Sequence, residues 1–569
     1  MLETVIQPIE TQVNGVKKMI FMSSTATDTG SGTITVTFDI GTDGDLNTVN
    51  TQNRVNWASA QLPDAVRRQS VIVQEKSPSI LLVAALYSPD GKFDDLFLNN
   101  YASIYLKDEL ARIPGVGQVQ MLGERKYSMR IWLDPAKMAG MNMTVDEVTD
   151  ALNQQNIQVS AGALGEAPTG GDGIFRYSLQ TQGRLTDANQ FKEIVVRSTT
   201  DGAQVKLKDI ARVELGAENY GSSGTYNGKP AALMAVYQLN EANGIDIRQQ
   251  CAQRLEELKT YFPPGVAYTI PFDTTAFIKA SIHEVVMTLI IAVFLVIAIT
   301  YLFLQDWRST LVPTLAIPVS LIGTFAVLLL VGYTINLITL FGLILAIGIV
   351  VDDAIVVIEN VNRLMAEAKL SPKQAAIRSM EEVTGPVIAT TAVLLAMFVP
   401  VCFLPGITGE MYRQFGITIS VAVSISSINA LTLSPALCSI LLNPNESGGS
   451  NWLPFRLFNL GFGKLTGGYV RVVRLIVRRA LLGLVLFGAM VFGCWWFYSQ
   501  LPTGFIPDED QGTLFVNIQL PDAASFDRTR AIVAQICDES LRTKGVKSAL
   551  GISGFSILTN AQASNNGTV

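Results

Sequence analysis

Two adjacent aspartates, Asp352 and Asp353, are the only charged residues in the apolar run from Leu337 to Ile358. That run is long enough to cross a bilayer, which takes about 20 apolar residues in an α-helix. An ionised side chain at the centre of a spanning helix costs about 2.5–3.5 kcal/mol on insertion scales. Two side by side persist only where they face protein or water and have work to do. The default work is moving a proton or an ion.

Composition explains how such a run is housed. The chain has 569 residues, 49% hydrophobic and only 16% charged, too long for one ordinary domain and less polar than a soluble protein. The average conceals a division. Residues 1–280 and 506–569 alternate polar and apolar positions, whereas 282–500 are dominated by apolar runs. The net charge of −6 argues against nucleic acid as a partner. The five cysteines show neither a disulfide framework nor zinc spacing, and no metal site is expected. No Gly-rich phosphate loop with Lys-Ser or Lys-Thr occurs, so no nucleotide site is expected and any transport energy must come from elsewhere; no cofactor is expected. The single histidine, His283, stands at the mouth of the first apolar run, which excludes a histidine relay.

Six spans are expected, at 284–304, 310–331, 336–361, 384–404, 414–441 and 480–500. An even number returns the chain to its starting side. The loops after the first, third and fifth spans carry Arg308, then Arg363, Lys369, Lys373 and Arg378, then Arg456, Lys464, Arg471, Arg474, Arg478 and Arg479. The loops after the second and fourth carry only Arg413. Basic loops stay in the cytoplasm, so both soluble portions are expected outside it. The opening residues have neither the basic start nor the apolar core of a signal peptide. The expectation is therefore that a further span precedes this sequence and that the chain is incomplete at both ends.

In the soluble portions an opening helix is expected over about 2–19. Strands are expected at Thr33–Ile40, Ser79–Tyr87, Tyr127–Leu133 and Val266–Phe272. Thr144 and Glu147 form a capping box opening a helix to about Gln155, and a second amphipathic helix covers 243–260. Strand–helix–strand units in this order predict small α+β subdomains of split βαβ type. The Gly-rich segment 161–177 predicts a long connection or an arm that reaches a neighbouring subunit.

If the third span ends near Arg363, Asp352 lies roughly 15 Å deep at 1.5 Å per residue, near the bilayer midplane. Glu359 returns to the same side of the helix seven residues later. Gly342 and Ala346 form a small-xxx-small pair that permits close helix contact. Neighbouring carboxylates oppose each other's second charge and titrate as one coupled pair. A structural pair neutralised by a cation on another span is one alternative. A metal-ion site is another, although one helix supplies few ligands.

The segment Phe341–Asn360 resembles the fourth transmembrane helix of the resistance-nodulation-division (RND) pumps, most closely the hydrophobe/amphiphile multidrug exporters of AcrB/MexB type. Tyr127–Lys137, Ser281–Val286, Tyr301–Gln305 and Pro507–Gly512 are also similar to that family, and the likeness covers essentially the whole chain. The resemblance implies a membrane α-helical bundle with periplasmic α+β porter subdomains. It implies a proton/drug antiporter of the bacterial inner membrane that works as a homotrimer. Its partners would be a periplasmic adaptor protein and an outer-membrane channel, and its cargo amphiphilic drug-like compounds.

Carried over by position, Asp352 and Asp353 match the family's proton-carrying pair, with Glu359 accessory. Phe555 matches an aromatic of the loop between two drug pockets. Gly165, Pro168 and Gly171 fall in the arm, 161–177, that threads into the next protomer. The implied divisions are a first porter subdomain at 1–77, a second at 78–125 and 218–274, a funnel subdomain at 126–217, a transmembrane domain at 275–505, and the start of a third porter subdomain at 506–569. In the family the aspartates pair with a lysine on a span of the second half, and none of the six spans expected here contains lysine. Two other readings stand beside this one: an RND-type metal-ion exporter, for which Met19, Met22, Met138, Met141 and Met143 are the available sulfur ligands, and a non-transporting remnant of a pump gene.

Overall fold

The computed structural model describes residues 1–27, 30–159, 161–165, 175–180, 182–198, 202–443, 453–501 and 510–569. The chain divides into two compact units, Met1–Thr275 with Gly512–Val569, and Ala276–Gln511.

The first unit is built on one large sheet, whose strands are β1 (Ile80–Tyr87), β2 (Val116–Leu122), β3 (Ser223–Tyr226), β4 (Lys229–Gln238), β5 (Ala267–Asp273), β6 (Asn517–Gln519), β7 (Leu550–Ser556) and β8 (Ala561–Thr568). Strands β5-β1-β4-β2 form an antiparallel block. Helices Asp95–Tyr105 and Lys107–Ala111 connect β1 to β2, and Gly244–Lys259 connects β4 to β5. This is the split βαβ arrangement expected from the order of elements. The helices cover one face, over a core that includes Leu82, Leu86, Leu98, Leu110, Met234 and Leu255. Each such side chain contributes about 1.5–3 kcal/mol on burial.

A tight hairpin at Asn227-Gly228, both at positive φ, turns β3 into β4, as two-residue hairpin loops require. The sheet then continues from β3 into β7, β8 and β6. Asn227 fastens this join, donating its N–H to the Ala549 carbonyl and accepting the Ala549 N–H on its side-chain oxygen, both at 2.9 Å.

The segment between β2 and β3 has a core of its own, containing Met138, Met143, Val148, Phe191, Leu207 and Ile210. Strand Tyr127–Leu133 pairs with Ala211–Ala217. Thr144 and Glu147 exchange the two expected capping-box bonds at 3.3 and 3.1 Å. The opening segment differs from expectation. Its helix ends at Val13, because Asn14 and Gly15 (φ +85°) break it, and Met19–Ala26 forms a strand against Gly32–Phe38.

Among its described residues the second unit holds six helices long and apolar enough to cross a membrane: Thr274–Leu304, Trp307–Val331, Leu337–Ala368, Pro372–Val401, Gly406–Leu441 and Ala480–Gln500. They correspond one to one with the expected spans; the first five each run beyond the expected limit at one end, and the sixth coincides with its expected span. The fifth is broken at Thr432, three residues before Pro435. The third and fifth are the centre of the bundle. Half of the most apolar stretch of each is buried, against none of the sixth's. The basic stretch after the fifth span, expected as a loop, contains a helix at Leu453–Arg478.

Gly554 (φ +80°) lies at a bulge in β7, where an added Cβ would fall 1.8 Å from the Gly221 carbonyl oxygen. Gly554→Ala should therefore open the join between β3 and β7, costing more than about 2 kcal/mol. Cys537 reports on it: its thiol is fully buried, and burial pushes it up to about 11. A maleimide at mildly alkaline pH is expected to leave Cys537 unmodified in the unaltered chain and to label it in the variant, read by peptide mass spectrometry.

Candidate functional site

The third span carries the carboxylate pair on an uninterrupted helix. Asn336 caps its start, accepting the Thr339 N–H at 3.0 Å, while Thr339 Oγ1 accepts the Asn336 N–H at 3.0 Å. Gly342, Ala346 and Val350 are buried along one stripe at i, i+4, i+8, so the helix approaches the fifth span closely. A Cβ built on Gly342 would lie 3.2 and 3.3 Å from Thr418 carbons. The small-xxx-small pair faces the fifth span, the role its spacing allows.

This close packing brings the Ser426 hydroxyl of the fifth span to 2.9 Å from the Val350 carbonyl oxygen and 3.3 Å from Asp353 Oδ2. A hydroxyl has one proton to donate, so it serves one of the two acceptors at a time. Asp353 is half-buried at this contact. Asp352, about 100° further round the helix, is exposed on a side that the described residues leave open. Ion pairs in this unit gather at helix ends, as in Arg363–Glu382 (2.7 Å), Arg378–Glu381 (2.7 Å) and Arg413–Glu410 (3.3 Å). Among the described residues none reaches either aspartate. Glu359 is exposed two turns further along.

Two polar contacts near the pair were not anticipated. Asn429, one turn beyond Ser426, donates to Ser320 Oγ of the second span at 2.9 Å, both residues buried. Asn360 accepts from Arg363 at 2.7 Å and donates to Ser379 Oγ at 3.1 Å, tying the third helix to the fourth. An asparagine within an apolar run was the available signal for the first.

The remaining expected residues lie in the first unit. Phe555 is on β7, just after the bulge, with 6% of its surface exposed, packed in the cluster that includes Val83, Leu122, Leu233 and Tyr237. Within the segment 161–177 and just after it, Ala163–Leu164 pairs with Tyr177–Ser178. Gly165 (φ +79°) makes the turn away from it, where a Cβ would fall 2.4 Å from the Phe175 carbonyl oxygen. Pro168 and Gly171 lie outside the described residues. Met138 and Met143 are buried in the core of the segment between β2 and β3 and Met22 packs in that of the opening segment, whereas Met141 is exposed.

The AcrB/AcrD/AcrF family model matches residues 1–569. The chain belongs to that family, within the RND superfamily. It is 41% identical over 569 residues to multidrug resistance protein MdtF of Escherichia coli (strain K12), covering 99% of this chain and 54% of that protein. It is 40% identical over 567 residues to the toluene efflux pump membrane transporter TtgB of Pseudomonas putida, with 99% and 54% covered. Multidrug export protein AcrF of Escherichia coli (strain K12) is 41% identical over 571 residues, with 98% and 54% covered. The chain thus spans about half the length of the curated relatives it matches. As an RND family member with six apolar spans, it is a multi-pass inner-membrane protein with a large region outside the membrane.

The contact between third and fifth spans is testable by packing alone. Gly342→Leu has no room against Thr418 and should cost about 1–3 kcal/mol. Gly348→Ala, with nothing within 4 Å of the new Cβ, should not lower stability. Melting of the detergent-solubilised chain, followed by tryptophan fluorescence, compares the two.

Proposed function

We propose that this chain is the transport subunit, or the greater part of the first half of one, of a proton-driven exporter of amphiphilic, drug-like compounds. It is a secondary active transporter rather than an enzyme. The observation that carries the proposal is the carboxylate pair held in one of the two most enclosed spans, with Asp353 touched by a hydroxyl of the other and Asp352 exposed beside it.

In this reading a proton arriving from the periplasm is taken up by the Asp352–Asp353 pair and released to the cytoplasm. One charge moving through 100 mV is worth about 2.3 kcal/mol, enough to bias alternation of the porter subdomains. Those subdomains are 1–77, 78–125 with 218–274, and 506–569. The funnel subdomain, 126–217, docks a periplasmic adaptor and an outer-membrane channel, and arm 161–177 engages the next protomer of a homotrimer. Phe555 contributes to the wall between drug pockets. Glu359 is an accessory carboxylate towards the cytoplasmic end. The printed names of the relatives, which speak of multidrug resistance, multidrug export and toluene efflux, support a broad apolar cargo. Burial of Met138 and Met143 in the funnel core withholds their sulfurs from any cargo ion, which weighs against the metal-exporter reading.

The test is dye efflux from cells that express the gene from its own locus and lack other exporters. Asp352→Asn and Asp353→Asn should each reduce efflux to background with unchanged membrane abundance. Glu359→Gln should lower it only in part. Undiminished efflux in either aspartate variant would refute the coupling role.

A further inference from the structure

The helix Leu453–Arg478 is the one long element of the second unit that the span reading does not absorb. It has 26 residues, about 39 Å at 1.5 Å per residue, and of these only Phe455 is buried. No acidic residue occurs between Leu453 and Arg479, against six basic ones. At about 100° per residue, Arg456, Lys464, Arg471, Arg474 and Arg478 fall within an arc of about 80°. The opposite arc holds Phe458, Phe462, Leu465, Tyr469, Val472 and Ile476. One narrow basic stripe thus runs the length of the helix, and one aromatic and aliphatic stripe lies behind it.

Both ends of this helix are fastened to ends of spans. At its start Asn459 and Gln305 exchange side-chain amide bonds at 2.7 and 3.2 Å. There Phe303 also meets Phe458 and Phe462 at centroid distances of 5.2 and 5.5 Å. Gln305 and Phe303 lie where the first span, Thr274–Leu304, finishes. At the other end Arg479 alone, in a non-helical conformation, separates the helix from the sixth span, which begins at Ala480. With six spans in sequence, the end of the first and the start of the sixth lie on the same membrane face. A helix fixed at both points runs along that face rather than away from it.

We infer that the helix Leu453–Arg478 lies in the membrane interface and binds anionic phospholipid headgroups through the stripe Arg456, Lys464, Arg471, Arg474 and Arg478. Its apolar stripe enters the acyl boundary, where an amphipathic helix of this kind gains both burial and attraction to negative lipid. The guanidinium groups meet phosphodiester oxygens with charge-assisted hydrogen bonds. The basic stripe with no acidic residue to oppose it is complementary to a negative surface, and zwitterionic headgroups offer it no net charge. The inference rests on the reading of the six helices as spans, and not on proton coupling. Lipid preference is measured without transport, so each can fail without the other.

The experiment reconstitutes the purified full chain in phosphatidylcholine vesicles near neutral pH. Trace phosphatidylglycerol or phosphatidylcholine, each with the same acyl-chain spin label, reports the fraction of lipid immobilised on the protein by electron paramagnetic resonance. Phosphatidylglycerol should be preferred by about threefold or more at about 20 mM salt, and by less than half as much at about 0.5 M, where charges are screened. The triple variant Arg471→Gln, Arg474→Gln, Arg478→Gln should bring the preference close to unity, and the matching triple lysine variant should retain it. If the triple glutamine change blocks assembly, Arg471→Gln and Arg474→Gln are measured singly, each expected to lower the preference in part. Equal immobilisation of the two labels by the unaltered chain overturns the inference. So does an undiminished preference in the glutamine variants.

Discussion

A carboxylate in a lipid-crossing helix is kept where it faces protein or water rather than hydrocarbon, and the packing around Asp353 follows from that constraint. Gly342 and Ala346 present almost no side chain to the fifth span, so Thr418 comes within contact of the third helix and Ser426 reaches the Val350 carbonyl. The two helices that do this are also the two most enclosed. Lipid supplies no hydrogen-bond partners, and the fifth span supplies them instead, through Ser426 to the third helix and Asn429 to the second. The outermost helix, Ala480–Gln500, carries no ionisable group but Tyr498 and Cys494 and is apolar on every side.

The first unit meets a different problem. Its strands come from segments hundreds of residues apart, as with Thr225 Oγ1 donating to the Gly551 carbonyl across 326 positions. Water competes for every backbone group there, so the sheet is held by paired ladders and by cores on its faces rather than by isolated polar contacts. Segment 126–217 keeps Met138, Phe191 and Leu207 in a cluster separate from Leu82 and Met234, whereas Ile552 and Phe555 share a core with Val83, Leu122 and Leu233.

What the sequence disclosed depended on whether the signal was local. The spans were legible because a run of about 20 apolar residues has few other uses. Strand Tyr127–Leu133 and the capping box at Thr144 were legible because alternation and capping act over a few residues. The helix Leu453–Arg478 was not, because Gly461, Gly463, Gly467 and Gly468 together with five basic residues read as loop composition. Only the 3.6-residue recurrence of its charges marked it. The opening helix stops short of its expected end because Asn14-Gly15, with Gly15 at positive φ, is a helix stop signal. The pairing of β3 with β7 had no local sign at all, since Asn227 and Ala549 meet only after the intervening chain has folded. Of the site, the aspartates and the small residues beside them were visible as exceptions in an apolar run. Ser426 was not, because serine is unremarked in a spanning helix until a carboxylate is found opposite.

Ser426 gives the pair a structural readout. Its single hydroxyl proton lies between the Val350 carbonyl and Asp353 Oδ2. An ionised Asp353 competes for that proton as the stronger acceptor. A protonated Asp353 becomes a donor itself and can bond to Ser426 Oγ, leaving the hydroxyl proton to Val350. On the proton-coupling reading, a change of charge thus becomes a choice between two hydrogen-bond patterns at the contact between the third and fifth helices. Asn429 sits one turn away on the same helix and is bonded to Ser320 of the second span. Any adjustment of the fifth helix at Ser426 is therefore felt by two neighbours rather than one. Hydrogen-bonded side chains pass such an adjustment between packed helices more sharply than dispersion contacts do, because their geometry tolerates less displacement.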